Sequence, residues 1–253
     1  MSDLRPPLVL AHRGASAREP ENTLRAFRAA EVDGADMIEL DVRLTADGVP
    51  VVIHDDDLAR TTDGTGRVHR TRLDELKRLD ASGGRGEPEP VPTLAEALAA
   101  TTVALDVELK DLPGEPSFDW PETRLVEATL EVLSAARPER AILLSSFDWL
   151  ALERVRALAP DLETGFLTIG GVDPLAAVRY AAGAGHRWIL PQAPALLEAG
   201  GVAVERAHEA GLRVGVWTVD APDLMQRLFA WGVDALATNE PAVAVEVRDS
   251  VRE

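Results

Sequence analysis

The sequence predicts an α/β fold: a single (β/α)8 TIM barrel with a β-hairpin extension of its second strand and a small insertion after it. Three observations carry this. Short runs rich in Val, Ile and Leu recur along the chain. One helix-length segment rich in Ala, Leu, Glu and Arg separates most neighbouring runs. Glycines stand just past several helical segments, where the left-handed conformation ends a helix. Strand–helix alternation implies parallel strands joined by crossovers, and about eight such units in 253 residues suit one closed barrel.

The elements follow in order. Leu8–His12 is the first strand. Leu24, Phe27 and Ala30 form a helical stripe that runs to Gly34, and Met37–Val42 is the second strand. Val49–His54 then follows across only Thr45-Ala46-Asp47-Gly48. That link is too short for a parallel crossover, and Asp-Gly is a hairpin signal, so this run reads as an antiparallel extension outside the main eight. Residues 55–92 form a long irregular insertion with turns at Asp63-Gly64-Thr65-Gly66 and Gly83-Gly84-Arg85-Gly86, and one short helix near Arg72–Leu79. Insertions of this length are usually functional or mobile. The remaining strands are Val103–Leu109, Ala141–Ser146, Thr164–Thr168, Trp188–Leu190, Val214–Val219 and Ala235–Thr238. Leu125, Ala128, Thr129 and Val132 mark another helix, and Gly185, Gly211 and Gly232 repeat the role of Gly34. No internal linker stands out, so 1–253 reads as one domain.

Composition removes whole classes of function. The chain is 46% hydrophobic and 27% charged, enough to bury a core. Lys+Arg number 26 against 43 Asp+Glu, a net charge of −17, which argues against nucleic acid or an anionic membrane as partner. With no cysteine there is no disulfide, thiolate nucleophile, Cys-ligated zinc or iron–sulfur cluster. No run approaches the ~18 apolar residues of a membrane span, and Leu8–Ala11 is too short for a signal segment. These features set the expectation of a cytoplasmic protein without stable membrane insertion.

The charged residues at strand ends are the unusual feature. In Met37-Ile38-Glu39-Leu40-Asp41-Val42, period 2 puts Glu39 and Asp41 on one face and the apolar residues on the other. In a barrel strand the apolar set packs outward against helices, which leaves both carboxylates inward near the mouth. A solvated strand end with a salt bridge is the plainer alternative. Glu108 and Lys110 repeat the pattern, with Asp106 on the same face one step lower. Three carboxylates with water suit a hard cation such as Mg²⁺ or Ca²⁺ better than zinc, with Mn²⁺ as a further candidate. A local ion pair would explain Lys110 but not the acids on the neighbouring strand.

His12 and His54 each end a strand, and barrel active sites sit at the C-terminal ends of strands. Two imidazoles there can serve as general acid and base. A single one would more often be structural. Arg13 offers a planar fork for a phosphoryl oxygen, or an ordinary ion pair. Trp217 reads equally as a substrate platform or as core. Asn22 reads as the first helix's N-cap. Asp55-Asp56-Asp57 reads as solvated loop, and His69, His186 and His208 as loop or helix-surface residues.

Taken in order, these motifs resemble the glycerophosphodiester phosphodiesterase family. The series runs His12-Arg13-Gly14, Pro20-Glu21-Asn22-Thr23, Glu39-Leu40-Asp41-Val42, and Asp47-Gly48-Val49-Pro50-Val51-Val52-Ile53-His54-Asp55. It continues with Leu58-Ala59-Arg60-Thr61-Thr62, Val91-Pro92-Thr93-Leu94, Glu108-Leu109-Lys110, Ser146-Phe147 and Trp217-Thr218-Val219. The resemblance implies a TIM barrel that hydrolyses small glycerophosphodiesters to sn-glycerol 3-phosphate and an alcohol with one divalent cation. It implies Glu39, Asp41 and Glu108 as metal ligands, His12 and His54 as the acid/base pair, and Arg13 and Lys110 as phosphate contacts. Asp220 stands where Asn is common and Asn239 where Asp is usual. Both positions lie, on this reading, outside the metal and acid/base set.

Three other readings compete with this one. A phosphoryl-ligand-binding barrel without turnover would be favoured by loss of His12 or His54, and both are present. A lysophospholipase D-type or cyclic-phosphate-forming enzyme would use the same site and want an apolar rim, which the charged 55–92 insertion does not suggest. A sugar isomerase would want more inward His and carboxylates on the later strands, which supply few.

Overall fold

The computed structural model describes residues 6–252. Its strands are β1 (Leu8–His12), β2 (Met37–Leu44), the short β3 (Pro50–Val52), β4 (Ala104–Leu109), β5 (Ile142–Ser146), β6 (Glu163–Thr168), β7 (Trp188–Pro191), β8 (Arg213–Val216) and β9 (Ala235–Thr238). All but β3 run parallel. β1 pairs with β2 on one side and β9 on the other, so eight strands close into a barrel. β3 pairs antiparallel with the end of β2, Val42 opposite Val52 and Leu44 opposite Pro50. The hairpin expected over Val49–His54 is therefore present but shorter.

Local chemistry sets the helices between strands. α1 (Leu24–Val32) starts at Thr23, whose side chain accepts from the Ala26 N–H. The cap is Thr23 and not Asn22, which corrects the sequence reading. The insertion carries two 3-10 turns, Leu58–Arg60 and Val68–Arg70, and one α-helical turn, α2 (Leu73–Leu76), where a helix was expected near Arg72–Leu79. α3 (Leu94–Ala100) opens on a capping box, Thr93 with Glu96. α4 (Arg124–Ala136), α5 (Trp149–Leu158) and α6 (Pro174–Ala184) follow β4, β5 and β6, and Asp148 and Asp173 cap the latter two. α7 (Ala193–Ala199) and α8 (Val202–Glu209) follow β7, α9 (Pro222–Ala230) follows β8, and α10 (Pro241–Arg252) follows β9. Gly34, Gly185, Gly211 and Gly232 all have φ between 76° and 83°, as helix-ending glycines require.

Period 2 sorts each strand into two layers. Ile38, Leu40 and Val42 of β2 and Leu105, Val107 and Leu109 of β4 pack outward in one cluster with Phe27, Leu94 and Val126 of the helices. Truncating any one of these buried leucines would cost roughly 2–5 kcal/mol. Leu8, Leu10, Met37, Leu143, Trp188 and Leu190 point inward and fill the lower barrel. The upper barrel is left for polar side chains.

Two expectations are revised. The strand read as Val214–Val219 ends at Val216, so Trp217 lies on the loop beyond it. The 55–92 insertion has its own core, in which Ile53, Leu58, Val68, Leu76 and Val91 are buried together. Among the described residues no helix is long and apolar enough to cross a membrane.

Candidate active site

Strand register brings the site together. Asp41 lies opposite Glu108, Glu39 opposite Asp106, and His12 opposite Glu39. Glu39, Asp41 and Glu108 are buried, and each places a carboxylate oxygen within 4.8 Å of the other two. Lys110, just past β4, sets its ammonium 2.7 Å from Glu108 and 3.3 Å from Asp41. Arg13 turns back from the end of β1. Its N–H donates to Glu39 Oε2 at 2.9 Å, and its Nε lies 3.2 Å from Asp41.

This turn is tight. Arg13 has φ 56°, rare for a residue with a side chain, and Gly14 has φ 83°. A Cβ on Gly14 would lie 2.7 Å from the Ala26 backbone, so only glycine lets β1 hand over to α1 here. Asn22 also has positive φ and is buried. Its Nδ2 donates to Asp41 Oδ2 at 2.7 Å and its Oδ1 accepts from the Asp41 N–H. It orients Asp41.

Electrostatics divide the acids. Burial, then the charges of Asp41 and Glu108, push Glu39 well above the usual carboxylate range. Burial also pushes Glu108 up to about 7, against the pull of Lys110. Asp41 is the exception. Burial would raise it, yet Lys110, Arg13 and His54 hold it well below the usual range. Asp106 beneath them is pushed up to about 7, chiefly by burial. Glu39 Oε1 has no hydrogen-bond partner. Three crowded buried carboxylates, two of them with an oxygen that no hydrogen bond satisfies, fit a hard divalent cation.

The two histidines line the cavity together with Glu39 and Glu108. His54 Nδ1 lies 2.5 Å from Asp55 Oδ1. Asp55 in turn pairs with Arg60, which grips Glu21, which holds Arg13. Burial lowers His54, with Lys110 and Arg13 adding to it and Asp41 and Asp55 opposing. His12 is pushed down to about 4 by burial and then by Arg13. Its Nδ1 lies 2.8 Å from Asn239 Oδ1, because Ala11 of β1 sits in register with Thr238 of β9.

The far wall is aromatic and aliphatic. Trp217 donates from Nε1 to the Leu190 carbonyl at 2.8 Å and meets Phe147 edge-on at 5.4 Å. Lys110 lies 5.8 Å over the Phe147 ring.

Seven of the eight residues expected at the site line this cavity, and the eighth, Asp41, is buried against Glu39, Glu108 and Lys110. The sequence reading missed several others. Asn22 binds Asp41. Asp55 supports His54, and Asp56 is buried against His69 at 2.7 Å, so neither belongs to a solvated loop. His186 is buried too, at 3% exposure, where a surface position was expected. His208 is exposed on α8, as expected. Arg43 donates to the His54 carbonyl at 2.7 Å; its signal was the inward series Met37, Glu39, Asp41, Arg43. Asp220 and Asn239 are each other's partners, and Asn239 touches His12, so they do not lie outside the acid/base set.

Fold and site together define a TIM-barrel enzyme with a charged cavity at the C-terminal mouth of its strands. Its family is shown by relatives. Residues 12–243 match the Glycerophosphoryl diester phosphodiesterase family, and the chain belongs to that family. A glycerophosphodiester phosphodiesterase of Caldanaerobacter subterraneus subsp. tengcongensis is 37% identical over 95% of this chain and 97% of its own. One from Bacillus altitudinis is 31% identical over 96% and 99%. An Oleispira antarctica phosphodiesterase, solved in complex with the product sn-glycerol-3-phosphate, superposes with a TM-score of 0.86 at 32% identity, covering 96% of this chain and 97% of that one.

Proposed function

We propose that the chain hydrolyses glycerophosphodiesters to sn-glycerol 3-phosphate and an alcohol, with Glu39, Asp41 and Glu108 holding one divalent cation, Mg²⁺, Ca²⁺ or Mn²⁺. The observation that carries this is one cavity lined by His12, His54, Arg13, Lys110, Glu39 and Glu108, with Asp41 completing the buried triad. The product bound by the Oleispira relative supports the substrate class.

When bound, the cation supplies charge neutralisation at the phosphoryl oxygens. Arg13 and Lys110 are the chain's own cations for the same oxygens, fixed in place by Asp41, Glu21 and Glu108. One histidine takes a proton from the nucleophile and the other returns one to the leaving alkoxide. Each has Nδ1 held by a neighbour, so Nε2 is the nitrogen left for the reaction. The triad outnumbers its two cations, so a bound divalent ion is what turns the site net positive for an anion.

A second reading, a lysophospholipase D-type reaction at the same site, has one observation of its own. Trp120, Trp149 and Ile169 are 46%, 47% and 56% exposed on segments following β4, β5 and β6. Of the three, Ile169 shares a groove with Asp55, Asp56, Asp57 and Arg67 of the insertion.

The deciding assay offers glycerophosphocholine and lysophosphatidylcholine side by side with Mg²⁺, Ca²⁺ or Mn²⁺, and measures glycerol 3-phosphate and choline. Glycerol 3-phosphate release abolished by EDTA is expected. His12→Ala and His54→Ala should each lose about 10²-fold or more while staying folded by circular dichroism. EDTA-insensitive release sinks the metal assignment, and a near-normal rate for either variant removes that histidine.

A further inference from the structure

We propose that Asp220, which does not line the cavity, fixes the tautomer of His12 by way of Asn239. The inference rests on the acid/base reading of His12 and concerns what holds that ring ready.

The hydrogen bonds have a direction. An ionised carboxylate only accepts. Asp220 Oδ1 accepts from Thr238 Oγ1 at 2.9 Å and from the Asn239 N–H at 2.8 Å, and Asp220 Oδ2 accepts from Asn239 Nδ2 at 2.7 Å. The two ends of an asparagine amide have the same shape, and only the NH₂ end can face a carboxylate. Asp220 therefore turns Asn239 Oδ1 the other way. There Oδ1 meets Ser16 Oγ and His12 Nδ1, each at 2.8 Å. An amide oxygen also only accepts, so His12 Nδ1 must carry a proton. In the neutral ring Nε2 is then bare. It is the nitrogen left for the cavity that His12 lines.

Asp220 and Asn239 are a matched set for this reason. A carboxylate at position 239 would demand a proton on Nδ1 unaided. An amide can present either end, and needs an acceptor behind it to choose. Asp220 is that acceptor, and it is a positioning residue, since its only link to His12 is Asn239.

Three variants test this on glycerophosphocholine. Asp220→Asn frees the amide to turn and should lower kcat about tenfold with KM within about twofold, a part of the 10²–10⁴-fold that a placed acid/base group supplies. Asn239→Asp sets two carboxylates against each other and should lose at least as much. The double exchange D220N/N239D restores one donor facing one acceptor, and should recover to within about threefold of the parent. Nitrogen-15 NMR of the His12 ring gives a readout that needs neither turnover nor a variant. In the parent protein, Nδ1–H with bare Nε2 is expected, and Nε2–H should grow in Asp220→Asn. An Nε2–H ring in the parent overturns the proposal, as does a double exchange no better than the poorer single change. An inactive parent protein with the expected tautomer would sink the proposed reaction and leave the tautomer assignment standing.

Discussion

The mouth of the barrel has two unlike arcs. From β1 to β4, every inward strand end carries charge or an imidazole: His12 and Arg13, Glu39 and Asp41, His54, Glu108 and Lys110. From β5 to β9 the cavity is lined instead by Ser145, Phe147, Leu167, Leu190, Val216, Trp217 and Ala237. One arc costs stability. It buries acids that repel one another, so that Glu39 and Glu108 resist ionisation. The other is ordinary packing. On the proposed reading the charged arc would handle the phosphoryl group and its protons, and the apolar arc would take the carbon skeleton. Asn239 and Asp220 are the exception, reaching His12 across the β1–β9 seam.

The strongest way to break this division is Glu39→Gln. The amide keeps an oxygen for the Arg13 N–H while removing one of three crowded charges. Loss of a cation ligand forfeits several kcal/mol of charge stabilisation, so activity should fall about 10³-fold. Stability in EDTA should move the other way. The variant should melt about 3 °C higher, the scale of 1 kcal/mol in a domain of this size. A variant that keeps its activity, or melts lower in EDTA, would mean that Glu39 is a structural acid and the arc is not strained.

Trp217→Ala tests the opposite arc and should act on binding. The change deletes the edge-on contact with Phe147 and the hydrogen bond to Leu190 while leaving every charge in place. KM should rise about tenfold with kcat within about threefold, the pattern of lost uniform binding. Trp217→Phe, which loses only the hydrogen bond, should fall between. If kcat drops with Trp217→Ala as far as with Glu39→Gln, the two arcs do not divide binding from chemistry.

The charged arc was the more legible of the two in the sequence, for a physical reason. Glu39, Asp41, Glu108 and Lys110 break a period-2 apolar pattern, and nothing in the hydrophobic effect would place them there. The barrel was legible from the same alternation and from its helix-ending glycines. What failed was partnership. Asn22 beside Thr23 looks like a cap in sequence, and only the fold shows that it faces Asp41, 19 residues on. Asp55 looked like one of three solvent acids, and it became a histidine partner once Arg60 on the insertion closed over it. Asn239 lies 227 residues from His12, a distance only the closing of β9 on β1 removes. The end of β8 was overrun because Val219 continues the apolar pattern, although the continuous ladder ends at Val216 and only an isolated bridge between Trp217 and Gln192 follows it.

His186 sharpens the contrast at the smallest scale, because it is a histidine on the apolar side. It precedes β7, with Nδ1 2.8 Å from Thr164 Oγ1 and its ring near Phe166 and Tyr180. Burial, then the charge of Arg156, pushes it down to about 4. Among the described residues no carboxylate offsets that, as Asp41 does for His12 and His54. The sign follows from linkage. Between pH 6.5, where a free histidine titrates, and pH 4, the unfolded chain binds a proton that the folded chain refuses. Folding stability therefore falls as pH falls through that window, and this group adds no further loss below it. His186→Gln should remove about 2 kcal/mol of the difference in unfolding free energy between pH 7 and pH 5, read from urea curves at both. Activity at pH 7 should stay within about twofold, because the site is remote from the change. A pH response of stability identical to the parent's would show that this side of the barrel does admit charge, and the arcs would then differ in which groups they hold rather than in what they tolerate.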